Sequence, residues 1–171
     1  MLESLITSKT RLRLLVKFFI NVANQGYLRG LAEEFNESTN AIRKELNNLT
    51  EAGYLHKVTD GNKVRYQADP GHPLFVLLQK IMKQYMGLDT LVAMVLERMG
   101  AVEQIKVIGD YANGIDSGII EVVVTGKELN LDYILQLAPK IEEVIKRKVQ
   151  FVLASNAKEK GLIIYDSEVA D

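Results

Sequence analysis

The chain has 171 residues, a net charge of −1, no cysteine and two histidines, with 47% hydrophobic and 25% charged residues. That length admits one large core or two small ones, and the composition is ordinary for a globular protein. Lack of cysteine excludes disulfides and thiolate metal sites, and the balanced charge excludes the global basic field that advertises nucleic acid.

The first periodic segment covers residues 9–22, where Leu12, Leu15, Phe19 and Val22 share one stripe and predict a helix. A shorter helix is predicted over 27–35, with Leu28, Leu31, Ala32 and Phe35 inward and Asn36-Glu37 as the turn. A third is predicted over 38–53, with Ser38 as N-cap and Gly53 as the left-handed residue that ends it. Ile42, Leu46 and Leu49 recur at intervals of four and three and form its buried face, while Thr39, Asn40, Arg43, Lys44 and Asn47 fall opposite. Asn pairs bidentately with adenine, Arg with guanine, and Lys or Thr with phosphate, so this face has the chemistry of a duplex reader. Residues 54–59 and 64–68 predict two strands around the turn Asp60-Gly61-Asn62-Lys63, with Lys57, Asn62, Lys63 and Arg65 placed to touch a DNA backbone. A polar-faced helix before a basic-tipped hairpin is the layout of a winged helix-turn-helix.

The phrase Leu31-Ala-Glu-Glu-Phe-Asn-Glu-Ser-Thr-Asn-Ala-Ile-Arg-Lys-Glu-Leu-Asn-Asn-Leu-Thr-Glu-Ala-Gly-Tyr-Leu55 resembles winged-helix bacterial transcription regulators of the ArsR and MarR type. The resemblance covers roughly the first 70 residues. It implies a small scaffold helix leading into a recognition helix. The thiolate metal sensing of the ArsR family is excluded here by the missing cysteines. Residues 1–70 carry ten Lys and Arg against eight Asp and Glu, and residues 71–171 eleven against fourteen, so the +2 half is the proposed reader and the −3 half follows it.

Pro70-Gly71-His72-Pro73 reads as a hinge whose second proline opens a helix. Leu74, Leu77, Leu78, Ile81 and Tyr85 form its stripe, Gly87 breaks it, and residues 89–99 form another helix with Leu91, Val92, Val95 and Met99 on one side. Lys80, Lys83, Asp89, Glu97 and Arg98 interrupt the apolar run, so it is not a membrane span. Two uses fit the stripes equally: Leu74, Leu77, Ile81 and Met99 pair with a second copy, or the helices pack on the rest of the chain. His56 and His72 read as structural or surface residues. The start Met-Leu-Glu-Ser lacks a secretory signal, which gives a cytoplasmic expectation with no membrane partner.

Further on, residues 105–109 predict a strand ending in Gly109, followed by the loop Asp110-Tyr-Ala-Asn-Gly-Ile-Asp-Ser-Gly118 and a strand over 119–124. A helix is predicted over 130–148, interrupted at Pro139, with Leu131, Ile134, Leu135, Ala138, Ile141, Val144 and Ile145 inward, and a strand over 149–153. Gly109, Tyr111, Ala112, Gly114, Asp116 and Ser117, with the strand behind them, make residues 101–155 resemble the minimal nucleotidyltransferase domain of the DNA polymerase β superfamily. In that family the loop reads Gly-Ser-Tyr-Ala-Arg-Gly and the next strand carries two metal-binding carboxylates, which hold the ions that bridge the triphosphate. Here Ile119 and Glu121 occupy the carboxylate positions, Asp110 replaces the serine, Asn113 replaces the arginine, and Gln150 or Phe151 stands where a third acid is usual. Glu121 alone does not hold two hard cations. Gly109, Asp110, Gly114, Ile119 and Glu121 are therefore the remains of a nucleotide pocket, with no metal and no cofactor expected. Asp110 and Asp116 are the loop acids available to compensate.

The sequence thus predicts an α+β chain: a winged helix-turn-helix over 1–70, linking or dimerisation helices over 71–100, and an α/β nucleotidyltransferase-like domain with a small mixed sheet over 101–171. The function it implies is that of a DNA-binding transcription regulator. Double-stranded DNA and a second copy are its expected partners, and the C-terminal domain serves as sensor, oligomerisation surface or docking site for a small-molecule or protein effector. The rivals are a nucleotidyltransferase guided by its winged helix and an interaction adaptor that has lost DNA.

Overall fold

Helix α1 (Lys9–Phe19) begins where Ser8 accepts a hydrogen bond from the Arg11 amide, and it is enclosed almost all round: Leu12, Leu14, Leu15, Val16, Phe18 and Phe19 are buried. The structure, a computed structural model, describes residues 1–152 and 160–170, and the chain divides into two units, Met1–Met82 and Lys83–Asp171. It is mixed α+β with two small sheets. Among the described residues no helix is long and apolar enough to cross a membrane.

In the first unit α1 is followed by strand β1 (Gln25–Tyr27), helices α2 (Leu28–Phe35) and α3 (Thr39–Glu51), strands β2 (Leu55–Asp60) and β3 (Lys63–Ala68), and helix α4 (Phe75–Tyr85), which runs past the unit boundary. Three expectations change. The first helix ends at Phe19, so Val22 lies beyond the buried stripe and is exposed. The second starts at Leu28, because Gln25, Gly26 and Tyr27 pair antiparallel with Gln67, Tyr66 and Arg65 instead of coiling, and Leu28 is only half-buried. Gly26 allows that strand to cross Leu31, whose Cδ2 would lie 2.8 Å from any Cβ there. The sheet is antiparallel with order β1-β3-β2. Its hairpin closes through Gly61 and Asn62, with Gly61 at φ +60°, the positive angle that a two-residue loop wants at its first position.

The segment expected to link the halves is shared between the units, residues 71–82 falling in the first and 83–100 in the second. On α4 the buried side chains are Phe75 and Met82, while Leu77 and Ile81, and Leu74 just ahead of the helix, are exposed. Met99, expected at an interface with a second copy, is already fully buried within the chain and cannot serve there.

The second unit contains helix α5 (Leu88–Arg98), strand β4 (Ala101–Ile108), the short helix α6 (Gly109–Ala112), strand β5 (Ile119–Lys127), helix α7 (Leu131–Ile145) and strands β6 (Lys148–Val152) and β7 (Leu162–Asp166). The four strands form a mixed sheet, β6-β5-β4-β7, in which β5 and β6 are parallel and the other pairs antiparallel. Strand β7 was not expected; Leu153, the last residue of the expected strand over 149–153, lies outside the described residues. Helices α5 and α7 pack on each other and reach β7 and β6. Helix α7 runs through Pro139 without a break, the proline sitting on its exposed side. Its buried stripe is Tyr133, Ile134, Leu137, Ile141 and Ile145: Ile134, Ile141 and Ile145 lie inward as expected, Tyr133 and Leu137 join them, and Leu131, Leu135 and Val144, expected inward, are exposed, because the expected stripe was too wide and centred too far to one side.

The corner between α4 and α5 is tight. Gly87 has φ +78°, and a Cβ there would lie 2.8 Å from the Cβ and Cγ2 of Ile145. Gly87→Ala is expected to destabilise the second unit by about 1–3 kcal/mol, from positive-φ strain and overpacking together, read as a fall in the urea midpoint with unchanged slope.

Candidate functional site

Helix α3 has a buried and a bare side. Ser38 accepts from the Ala41 amide at 3.2 Å as N-cap, and Gly53 ends the segment at φ +79°. Ile42, Leu46 and Leu49 are buried, and Thr39, Asn40, Arg43, Lys44 and Asn47 are all exposed. Arg43 Nη1 donates to Asn40 Oδ1 at 3.2 Å, so two of these side chains form one hydrogen-bonded pair on the open face. Ser38 is exposed too, with one acceptor position of its hydroxyl used by the cap.

One acid interrupts the buried side. Glu45 is 6% exposed, accepting from Ser8 Oγ at 2.9 Å and from Arg11 Nε at 2.8 Å. Burial pushes its carboxyl up, and the hydrogen bonds from Arg11 and Ser8 with the guanidinium charge outweigh that and hold it below the ordinary value. Arg13 reinforces the turn before α3: its Nη1 donates to the Phe35 carbonyl at 2.8 Å and to Glu37 at 2.9 Å, and its guanidinium covers the Phe35 ring. Thr10 also donates to Glu37, and Lys17 pairs with Glu34 at 2.9 Å.

In the hairpin, Lys57, Asn62 and Lys63 are exposed as expected, but Arg65 is not free in solvent. It is half-buried in mid-strand opposite Tyr27, and its Nε is buried without a hydrogen-bond partner. Tyr27, read from sequence as a helical residue, instead donates to Asp60 Oδ2 at 2.9 Å, while Lys63 Nζ lies 5.8 Å from its ring centroid. Tyr27 thus braces the tip of the hairpin. Its position just ahead of an apolar helix start was the available signal, but a three-residue strand is too short to show alternation.

The second group of residues is split by the structure. Gly109 (φ +65°) and Glu121 come together: a Cβ on Gly109 would overlap Glu121 Oε2, so glycine is what admits the carboxylate. Asn113 Nδ2 donates to the Gly109 carbonyl at 2.9 Å and closes the turn. Gly114 is buried at φ +74°, and Asp110 and Ile119 are exposed. Glu121 is paired in register with Gln150, the position of the usual third acid. Among the described residues no three His, Asp or Glu side chains converge as a metal site would require.

Asp116 is committed elsewhere. It receives Arg147 Nη2 at 2.8 Å and Nε at 3.1 Å, and the hydroxyl of the buried Tyr111 also donates to it while accepting from the Gly118 amide at 3.2 Å. Desolvation raises the Asp116 carboxyl, but Arg147, Tyr111 and the Gly118 amide outweigh it and hold it below its usual value. Burial and the Asp116 charge push the Tyr111 phenol far up, so it stays a proton donor. Arg147 went unnoticed in the sequence, hidden in the basic triplet between α7 and β6. A shallow cleft of about 230 Å³ beside it is lined by Gly118, Glu142, Lys146, Arg147 and Lys148, in which Lys148 is paired with Glu142 at 3.1 Å.

Since the folded Asp116 carboxyl lies below its unfolded value, its contribution is fully present above about pH 4 and is lost as the pH falls through the lowered folded value. Asp116→Asn should flatten the acid limb of stability. Arg147→Ala removes the partner of a carboxylate that is 39% exposed and so stays partly solvated, and should cost about 0.2–1 kcal/mol at pH 7, both read from urea midpoints at a series of pH values.

No protein-family model and no curated protein matches the chain. Among solved structures, human N-acetylserotonin methyltransferase in complex with SAM is similar at 14% identity over 56% of this chain and 32% of that one, with a TM-score of 0.31. The chain thus spans about a third of that methyltransferase, and a superposition this slight assigns neither fold nor activity.

Proposed function

We propose that this chain is a cytoplasmic DNA-binding transcription regulator in which residues 1–70 act as a winged helix-turn-helix. One observation carries the reading: α3 buries one side and leaves Thr39, Asn40, Arg43, Lys44 and Asn47 bare on the other, and the hairpin that follows in the chain exposes Lys57 on its first strand and Asn62 and Lys63 at its tip. In this reading α3 is the recognition helix, with Arg43 and Asn47 reading base edges and the hairpin lysines meeting phosphate. Two copies place two such helices about one DNA turn apart, roughly 34–36 Å.

The second unit, in the same proposal, is a nucleotidyltransferase-like domain without catalysis, kept as a sensing, oligomerising or docking module. The support is the fate of its acids. Asp116 is neutralised by Arg147, Asp110 is exposed, and Glu121 faces Gln150.

Arg43→Ala or Asn47→Ala should relax sequence preference by about 1–3 kcal/mol per lost base contact. Lys63→Ala should instead weaken binding to every duplex and reduce the salt slope by about one unit. Fluorescence anisotropy against duplexes enriched from genomic fragments reads both, and unchanged preference in the first two variants would sink the assignment of α3. For the second unit, incubation with labelled nucleoside triphosphates and magnesium or manganese should leave protein, RNA and aminoglycoside unlabelled. Label that disappears in Glu121→Ala would make the chain an enzyme.

A further inference from the structure

Three arginines are held by carboxylates of the fold. Arg11 lies on Glu45, Arg13 on Glu37 and Arg147 on Asp116, at 2.8, 2.9 and 2.8 Å. Arg43 is held otherwise. Its Nη1 donates to Asn40 Oδ1 at 3.2 Å, and a neutral amide orients a guanidinium without cancelling its charge. Because arginine has donors only, the amide oxygen is the atom that must face it. The places three and four positions from Arg43 on α3 are Thr39, Asn40, Leu46 and Asn47, so no acid lies within reach along the helix.

We propose that Asn40 is the positioning residue for Arg43, ordering its guanidinium before DNA arrives and so sharpening the preference for guanine at the base it meets. This rests on α3 as the recognition helix and names a further residue that sets what α3 reads. The backbone under the pair is already fixed. Ser38 caps the Ala41 amide, Ile42 has zero exposure, and Glu45 is held by Ser8 and Arg11. What is left to order is the arginine side chain, and immobilising one so long costs about 2- to 10-fold in affinity when it is done at the moment of binding. Asn40 takes one of the five N–H donors and leaves four, enough for the parallel pair that guanine O6 and N7 accept. It also sits in the first turn of α3, the end of a recognition helix that reaches base edges. A carboxylate in its place would orient the arginine as well, but would turn a negative charge toward the phosphates.

The test uses the full chain and duplexes enriched from genomic fragments, with each base pair replaced in turn and affinity read by fluorescence anisotropy. Asn40→Ala should lower the guanine preference at the base pair where Arg43→Ala abolishes it, by about 2- to 10-fold. In the Arg43→Ala background the same change should alter no preference, since the two side chains act as one. Asn40→Asp keeps the acceptor, so it should keep the guanine preference while weakening every duplex alike. Asn40 is exposed, and all three variants should unfold at the parent's urea midpoint. Guanine preference intact in Asn40→Ala, or lost in Asn40→Asp as far as in Asn40→Ala, overturns the positioning role. A loss that persists in the Arg43→Ala background also overturns it, by making Asn40 a base reader in its own right. So does equal weakening of all duplexes by Asn40→Ala with a lowered urea midpoint, which is the mark of a purely structural residue. In each of these cases α3 stands as the reader. Arg43→Ala with the parent's preference removes that reading and the role of Asn40 together.

Discussion

Everything in the first unit depends on holding α3 at one rotation about its axis, with Ile42 and Leu46 at zero exposure and Arg43 and Asn47 bare. Apolar packing alone sets this loosely, because a small turn of an amphipathic helix trades one leucine edge for another. Glu45 removes the slack. Rotate the helix and its carboxylate loses Ser8 and Arg11 while still shut off from water, at a cost of about 1–3 kcal/mol. Ser8 is also the N-cap of α1, so the start of α1 and the rotation of α3 are fixed by the same hydroxyl.

The same helix sets the turn between α2 and α3. Asn36 is left-handed at φ 52°, a conformation that asparagine tolerates better than most side chains. Glu37 beside it is gripped from α1 by Arg13 and Thr10, and Lys17 reaches Glu34 further back. Each of these ion pairs is worth little singly. Together they set where α2 stops relative to α1, and hence the direction in which α3 leaves.

The parts of the fold that were legible in the sequence are those with long periods or obligatory residues. Ile42, Leu46 and Leu49 announced the buried side of α3, Ser38 and Gly53 its ends, and Asp60-Gly61-Asn62-Lys63 the hairpin loop. Where the reading slipped, two physical alternatives were nearly equal. Strand β1 has three residues and no period of its own; it exists because β3 offers it an edge. On α7, Leu131 and Leu135 are as hydrophobic as Leu137, and only the packing beneath decides which of them is covered. Strand β7 did carry a signal, Leu162-Ile-Ile-Tyr165 behind Gly161, in the run of β-formers and the turn residue ahead of it. At the candidate sites the polar residues of α3 were legible because exposure follows from its period. Glu45, Tyr27 and Arg147 were not, because their roles come from partners far away in sequence.

The sheet of the second unit is assembled out of chain order. Strand β4 lies between β5, which follows it directly, and β7, which comes after α7 and β6. Strand β6, being parallel to β5, requires the whole crossover through α7 before it can pair. During synthesis β4 and β5 are therefore complete as a hairpin while one flank of β4 still shows its unpaired amides and carbonyls. That flank, over Gln104–Val107, is a ready template for another chain until Leu162–Asp166 arrives to cover it. The last strand thus works as a seal against misassembly as much as a structural member, and a nascent or clipped chain lacking it would be sticky at that edge although its helices were intact.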